Sequence, residues 1–429
     1  MKFSTVFVCS TALLAAVSNH ASVIGTNVPA TPLTAERVAN LPEWKSYLEN
    51  SQRQKTTDQK FFHDELAAHN LTNAVQPHAT HNAKGLSLND SDTWYHGLDA
   101  RRVADNVVSF QTPAGGWSKN TDFTRKPRQP GELFGAENVS DHSVLGDFDK
   151  PDDSHWNYVG TFDNDSTTTE LRYLAKVISA DKNGPADAAY VKSFEHGLDY
   201  IFNSQFPNGG WPQVWPLQGG YHDEITLNDD AMLHVVVFLR DVSSGANEFS
   251  FVTSELRAKA AAGWKRGLDC LLAAQLKVDG KLTGWCQQYD EVTLQPASAR
   301  NYEMPALTSS ESATIVLFLI QLPDPDAKTV TAVHAACAWF EKTKIMGKKN
   351  TGTGADGRKL VDDPGNGPIW SRYYEIGTDR PIFGDRDKSI HDDVDEISKE
   401  RRKGYGWYRD TPKRVLEHYT KWAKQHPLP

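Results

Sequence analysis

NGGWPQVWPLQGGYHDEITLNDDAM, residues 208–232, joins the end of one helical pattern to the start of another. The joining loop is too rich in particular residues to be a plain connector. Gly209, Gly210, Gly219 and Gly220 permit backbone shapes closed to other residues. Trp211, Trp215 and Tyr221 offer flat apolar faces, and His222, Asp223, Glu224, Asp229 and Asp230 crowd titratable groups together. Read for structure alone, the same stretch is a packed Trp/Pro turn followed by a helix capped at Asn228.

Outward from this stretch the same grammar returns. A helical pattern ends in a Gln-containing turn with Gly and Trp: SFQTPAGGWSKN at 109–120, NSQFPNGGWPQV at 203–214 and AAQLKVDGKLTGWCQQ at 273–288. Each turn leads through a polar loop to a second helix opening with hydroxyl and acidic residues: DNDSTTTELRYLAKV from Asp163, NDDAMLHVVVFLRDV from Asn228 and SSESATIVLFLIQL from Ser309. Helices of the first kind carry one apolar stripe, as with Val191, Phe194, Leu198 and Ile201. Helices of the second kind are apolar on every side, as from Leu233 to Leu239 or Ile315 to Ile320. Alternating half-buried outer and fully buried inner helices predict an all-α toroid whose inner helices form a barrel. All inner helices then start at one end, and the acidic openings and Gly-Trp loops gather there around one mouth.

Composition bounds the rest. The 429 residues carry 24% charged and 10% aromatic side chains, those of an ordinary folded protein with room for a large core. A net charge of −9 gives no reason to expect nucleic acid as a partner. Residues 1–21 read as an export signal, with Lys2 ahead of an apolar run too short to span a bilayer, so the expected product is exported, free of the membrane and monomeric. Residues 22–92 read as a helical extension and linker, and 93–429 as the catalytic domain. Loss of Cys9 with the signal leaves Cys270, Cys286 and Cys337, of which Cys270 and Cys337 sit among apolar helical residues where a buried thiol is expected. His78 and His81 lack the further ligands a zinc site needs and read as surface residues.

Asp163, Asn164 and Asp165 stand at the first inner helix, Asp223, Asp229 and Asp230 around the second, and Glu311 at the third. Each alone suits a helix N-terminus, where an acidic group gains roughly 0.3–1 kcal/mol. Brought to one rim they repel one another unless a proton or cation lies among them. Oxygen ligands of this kind suit Ca2+. The positive groups are Lys119, Arg300, Arg372, Arg380 and Arg386, interleaved in the C-terminal part with Trp370, Tyr373, Tyr374 and Phe383. With a cation, they can hold the repeated carboxylates of an acidic polymer.

GGWSKN, TFDNDSTTTELRYLA, PNGGWPQVWPLQGGYHDEITLNDDAM, SARNYEMPALTSSES and WSRYYEIGTDRPIFGDRD, in this order from about Trp94 onward, resemble the family 10 polysaccharide lyases, which are pectate lyases. The resemblance implies an (α/α)3 toroid, endolytic β-elimination of polygalacturonate, and Ca2+ bridging enzyme and substrate. It gives Arg300 the role of base and Asp163 that of a calcium ligand. It leaves the second calcium cluster among Asp223, Asp229 and Asp230, and places Lys119 and Arg386, with Arg372 and Arg380 beside them, on substrate carboxylates. Asp165 departs from the pattern, which has a small residue there, and the insertion at 121–160, with Asp147, Asp149, Asp152 and Asp153, matches no motif.

In β-elimination the C5 proton leaves and the C4 oxygen is expelled while negative charge spreads onto the uronate carboxylate. Cations at that carboxylate stabilise the transition state. Arginine is a reluctant base, with a pKa above about 12, and chemistry alone would favour His222 or an aspartate. Two other readings fit parts of the pattern. A glycoside hydrolase would use Asp163 and Asp230 as its acid and base. A non-catalytic binder of acidic polysaccharide would yield no product.

Overall fold

The structure is a computed structural model describing residues 22–77, 84–135, 148, 159–180, 188–351 and 357–428. The expected leader, His78, His81 and the four aspartates of the insertion lie outside the described residues. The helices in chain order are α1 (Pro42–Ala68), α2 (Asp92–Tyr95), α3 (Leu98–Ser109), α4 (Thr168–Ala180), α5 (Ala188–Ser204), α6 (Ala231–Ser244), α7 (Ser254–Ala274), α8 (Ser309–Ile320), α9 (Ala327–Thr343), α10 (Lys399–Gly404) and α11 (Thr411–Gln425).

The two kinds of helix pack as pairs, α4 with α5, α6 with α7 and α8 with α9; α3 lies on α4 and α5, and α11 on α8 and α9. Along α6, Ala231, Met232, Leu233, Val235, Val236, Phe238, Leu239 and Val242 are all buried, as an all-round apolar helix requires. In α5 burial follows the stripe through Phe194, Leu198 and Ile201. Cys270, Cys286 and Cys337 are buried free thiols. Among the described residues no helix is long and apolar enough to cross a membrane.

The Gly-Trp turns are anchors of these pairs. Trp117, Trp211 and Trp285 are fully buried, and each indole N–H donates to a helix carbonyl: Val107 at 2.7 Å, Ile201 at 2.9 Å and Leu271 at 2.7 Å. Gln111, Gln205 and Gln275 each donate both to their own loop and to a neighbouring helix. A Cβ at Gly209, where φ is +96°, would stand 2.3 Å from the Arg266 carbonyl oxygen, so only glycine allows this approach. Trp211 and Trp215 are therefore core, not platforms for a flat ligand.

The all-α toroid is not what the chain forms. About 12% of the residues lie in strands, in several small sheets, beside about 47% in helices. Gly160–Thr161 pairs with Val214–Trp215, Ile225–Thr226 with Gln288–Tyr289 and then Pro296–Ala297, Leu307–Thr308 with Tyr373–Tyr374, and Trp370–Ser371 with Tyr408–Arg409, all antiparallel. The reason is local. Val, Ile, Thr, Tyr and Trp in the buried inter-helix loops leave backbone amides with no helical partner, and pairing one loop with the next satisfies them.

The segment ahead of the helices is tied into this framework. Gly25–Thr26 is the edge strand of a three-stranded sheet with Ser389–His391 and Phe383–Gly384. Arg37 reaches Asp290 at 2.5 Å, and α1 buries Trp44 and Tyr47 against Phe206.

Candidate active site

Two backbone turns set the acidic rim. Asn164 and Asp165 have φ of +50° and +58°, and Asp229 and Asp230 of +49° and +60°, just ahead of α4 and α6. Asn and Asp are the side-chain-bearing residues that best tolerate this left-handed region. The turn aims Asp163 inward, where its carboxylate accepts a short hydrogen bond from the Lys119 ammonium. Burial pushes Asp163 up, but the charge and hydrogen bond of Lys119, with Arg300 and His222 beyond, hold it below the usual carboxylate range. Asp165, the departure from the expected pattern, pairs instead with His234 of α6 at 2.7 Å.

Arg300 stands in the loop after Pro296–Ala297, with 31% of its side chain still exposed. Its Nε and Nη2 donate to the two oxygens of Glu303 at 2.7 and 2.6 Å. Burial pushes the guanidinium down, and the Glu303 carboxylate and neighbouring tyrosines more than reverse this, leaving it well above its ordinary value. Burial also pushes Glu303 up, but the Arg300 charge and hydrogen bonds, with the Tyr405 hydroxyl, take it down to about 2. His222, buried and facing both Lys119 and Arg300, is lowered to about 3 and is neutral at ordinary pH.

A second half of the site is centred on Arg372. Its Nη2 donates to Asn228 Oδ1 and Glu311 Oε1, both at 2.9 Å, and its guanidinium lies 4.6 Å from the Tyr405 ring centre. Gln287 donates to the same two acceptors at 2.8 Å. The Tyr405 hydroxyl, 2.7 Å from Glu303 and 2.6 Å from the Tyr373 hydroxyl, joins the two halves, because Tyr373 donates in turn to Gln287. Asp229 faces both halves; burial and the Asp163 charge raise its carboxyl above the ordinary range.

The remaining residues singled out in the sequence are placed differently. Asp223 is turned to its own loop, its two oxygens accepting the amides of Gln218 and Gly219 at 2.9 Å each. Burial, against those amides, pushes it up to about 6. Asp230 accepts the Thr314 hydroxyl at 2.5 Å and is likewise raised by burial to about 6. Arg386 pairs with Glu400 at 3.1 Å and lies 5.4 Å from the Tyr302 ring, the ring that also carries Arg300 at 5.1 Å. Arg380 has another neighbourhood, paired at 3.1 Å with both Glu375 and Asp392.

Sequence reading missed Glu303, Gln287 and Tyr405. A signal for part of this was present. Lys119, Gln213, Gln287 and Arg372 each lie two residues after a buried Trp, at Trp117, Trp211, Trp285 and Trp370. Trp370, whose indole donates to Phe340 at 2.9 Å, is a fourth copy of the turn.

The donor chemistry suits a hard cation. Asp163 and Asp229 are carboxylate oxygen donors whose charges repel one another, and the neutral imidazole of His222 lies near Asp163. No group of three or more His, Cys, Asp or Glu side chains gathers for a metal among the described residues.

Residues 111–416 match the family described as pectic acid lyase. The family 10 polysaccharide lyase from Cellvibrio cellulosa is similar in structure, with a TM-score of 0.65 and 30% identity over 78% of this chain and 95% of that one. A mutant of that family 10 lyase, in complex with trigalacturonic acid, gives a TM-score of 0.64 and 29% identity over 80% and 99% of the two chains. No curated protein matches.

Proposed function

Since the chain belongs to the pectic acid lyase family and is a pectate lyase, we propose that it is exported and cuts polygalacturonate within the chain by β-elimination, with Ca2+ bridging protein and substrate. The observation that supports this reading is that the charges of Lys119 and Arg300 both act on the Asp163 carboxylate, while those of Arg372 and Arg300 act on Asp229. Lys119 and Arg372 would neutralise the uronate carboxylate as charge moves onto it. Arg300 would accept the C5 proton. Asp163 and Asp229 would hold the cation, which when bound adds further positive charge at the same carboxylate.

Chelation tests the calcium role. The purified protein treated with chelator loses activity on polygalacturonate, and added Ca2+ restores it where Mg2+ does not, because a loose site completed by substrate suits the larger ion. Full activity in chelator would overturn the bridging ion. A fall in viscosity ahead of product release marks internal cutting; release of short products from the outset would contradict it.

The Arg300–Glu303 pair gives a pH prediction. Arg300 accepts a proton only when neutral, so the rate rises with pH as its guanidinium deprotonates. Glu303 stabilises the charged form and holds that rising limb at alkaline pH. Glu303→Gln keeps the shape and removes the charge, so the limb moves to lower pH, although loss of orientation lowers the maximum. Rate profiles against pH for the two proteins check this, and superimposable limbs would contradict it.

A further inference from the structure

The residue that bears the proposed base sits in a loop, and a loop position needs outside help to hold a reacting group still. The Glu303 carboxylate holds the Arg300 side chain. Its backbone is held from the far end of the sequence. Asn27 follows directly on the edge strand Gly25–Thr26, and its side-chain amide donates to the carbonyl oxygens of Arg300 at 3.2 Å and Asn301 at 3.0 Å. The amide oxygen of Asn27 is engaged as well, accepting from Ser298 Oγ at 2.9 Å and from the Val28 amide at 3.0 Å. The Ser298 hydroxyl also reaches the Val28 carbonyl at 2.5 Å. Asn27 is 3% exposed, so no water competes for these bonds.

We infer that Asn27 is a positioning residue for the elimination, fixing the 298–303 turn so that the Arg300 guanidinium meets the C5 proton. This rests on the reading of Arg300 as the base. The strap that carries Asn27 is anchored independently, by Ile24 N to Ile390 O and Asn27 N to Lys388 O, both at 2.8 Å. From the other side Asn301 completes the clamp, donating to Arg386 O at 2.7 Å and accepting the Phe148 amide at 2.9 Å. The turn's own bonds, Glu303 N to Arg300 O at 2.8 Å and Ala299 N to Glu303 O at 3.0 Å, close it but do not fix it to the rest of the molecule. Residues 22–28 lie outside the 111–416 region that matches the family.

The test uses the full chain with Asn27→Ala, assayed on trigalacturonate with hydrogen or deuterium at C5. A displaced base slows proton transfer and leaves substrate binding intact. The expected result is a kcat lower on the order of 10-fold or more, with KM within about twofold, since misplacement by an ångström costs up to about 10²-fold. The primary isotope effect on kcat rises at the same time, which a mere loss of folded protein would not produce. Asn27→Ser, keeping one donor, falls between wild type and Asn27→Ala, and it carries the test if the alanine variant does not fold. An unchanged kcat and isotope effect, or a change confined to KM, would overturn the inference. Arg300→Ala run in parallel separates the two claims. If that variant retains the wild-type rate, the base assignment itself is at fault; if it is inactive while the Asn27 variants are normal, only the positioning role fails.

Discussion

Arg300→Ala loses turnover by about 10²–10⁴-fold, the range by which a positioned acid or base accelerates proton transfer, while trigalacturonate still binds. The two parts separate because the groups that would grip uronate, Lys119 and Arg372, are held by partners other than Arg300: Lys119 by Asp163, and Arg372 by Asn228 and Glu311. The substitution has a local cost. Glu303 loses the guanidinium that brings it down to about 2, and a buried carboxylate stripped of its partner takes up a proton more readily. Tyr405 still donates to it, and the bonds of Asn27 and Asn301 to the turn's backbone and surroundings remain. Folding of the variant is read from its circular dichroism and melting. Near-wild-type rates in a folded Arg300→Ala protein would remove Arg300 from the chemistry and return His222, neutral and adjacent, as the next base to test.

Asp163→Asn raises the calcium concentration needed for half-maximal rate by about 10–100-fold, the loss found even for residues that only support metal ligands. The change keeps the size of the side chain and removes the charge that balances Lys119 and opposes Asp229. Stability and calcium dependence then part company. Lys119 loses its anionic partner, and taking away one member of a buried pair costs up to roughly 3–5 kcal/mol, less here because 16% of the lysine side chain reaches solvent. A purely structural Asp163 would give the lower melting temperature with an unchanged calcium titration. Such a result would sink its role as a ligand.

The sequence made the helical pairs legible because their signals are long. The all-round apolar run of α6 and the stripe of α5 span several turns each, and the Gln-Gly-Trp turns recur at their ends. The small sheets left no such trace. A strand of two residues shows no alternation, so Ile225–Thr226 or Leu307–Thr308 reads as loop until the partner loop is seen beside it. The same limit hid much of the site. Asp163, Arg300 and Lys119 stand in dense motifs and are singled out by them; Tyr405 and Asn27 act through hydrogen bonds across 102 and 273 residues and carry no local signal. Asp223 shows the opposite failure. It was singled out for standing in a crowded acidic loop, and the structure gives both its oxygens to backbone amides of that loop. The fourth turn at Trp370 was within reach, since Trp285 and Trp370 are each followed four residues on by a tyrosine whose hydroxyl accepts the amide just after the Trp.

The ultraviolet absorbance of polygalacturonate incubated with the purified protein and Ca2+ tests the chemistry most directly. β-Elimination leaves a carbon–carbon double bond conjugated to the uronate carboxylate at each new non-reducing end, so absorbance rises in step with new reducing ends. New reducing ends without that absorbance would mean hydrolysis and would contradict the account.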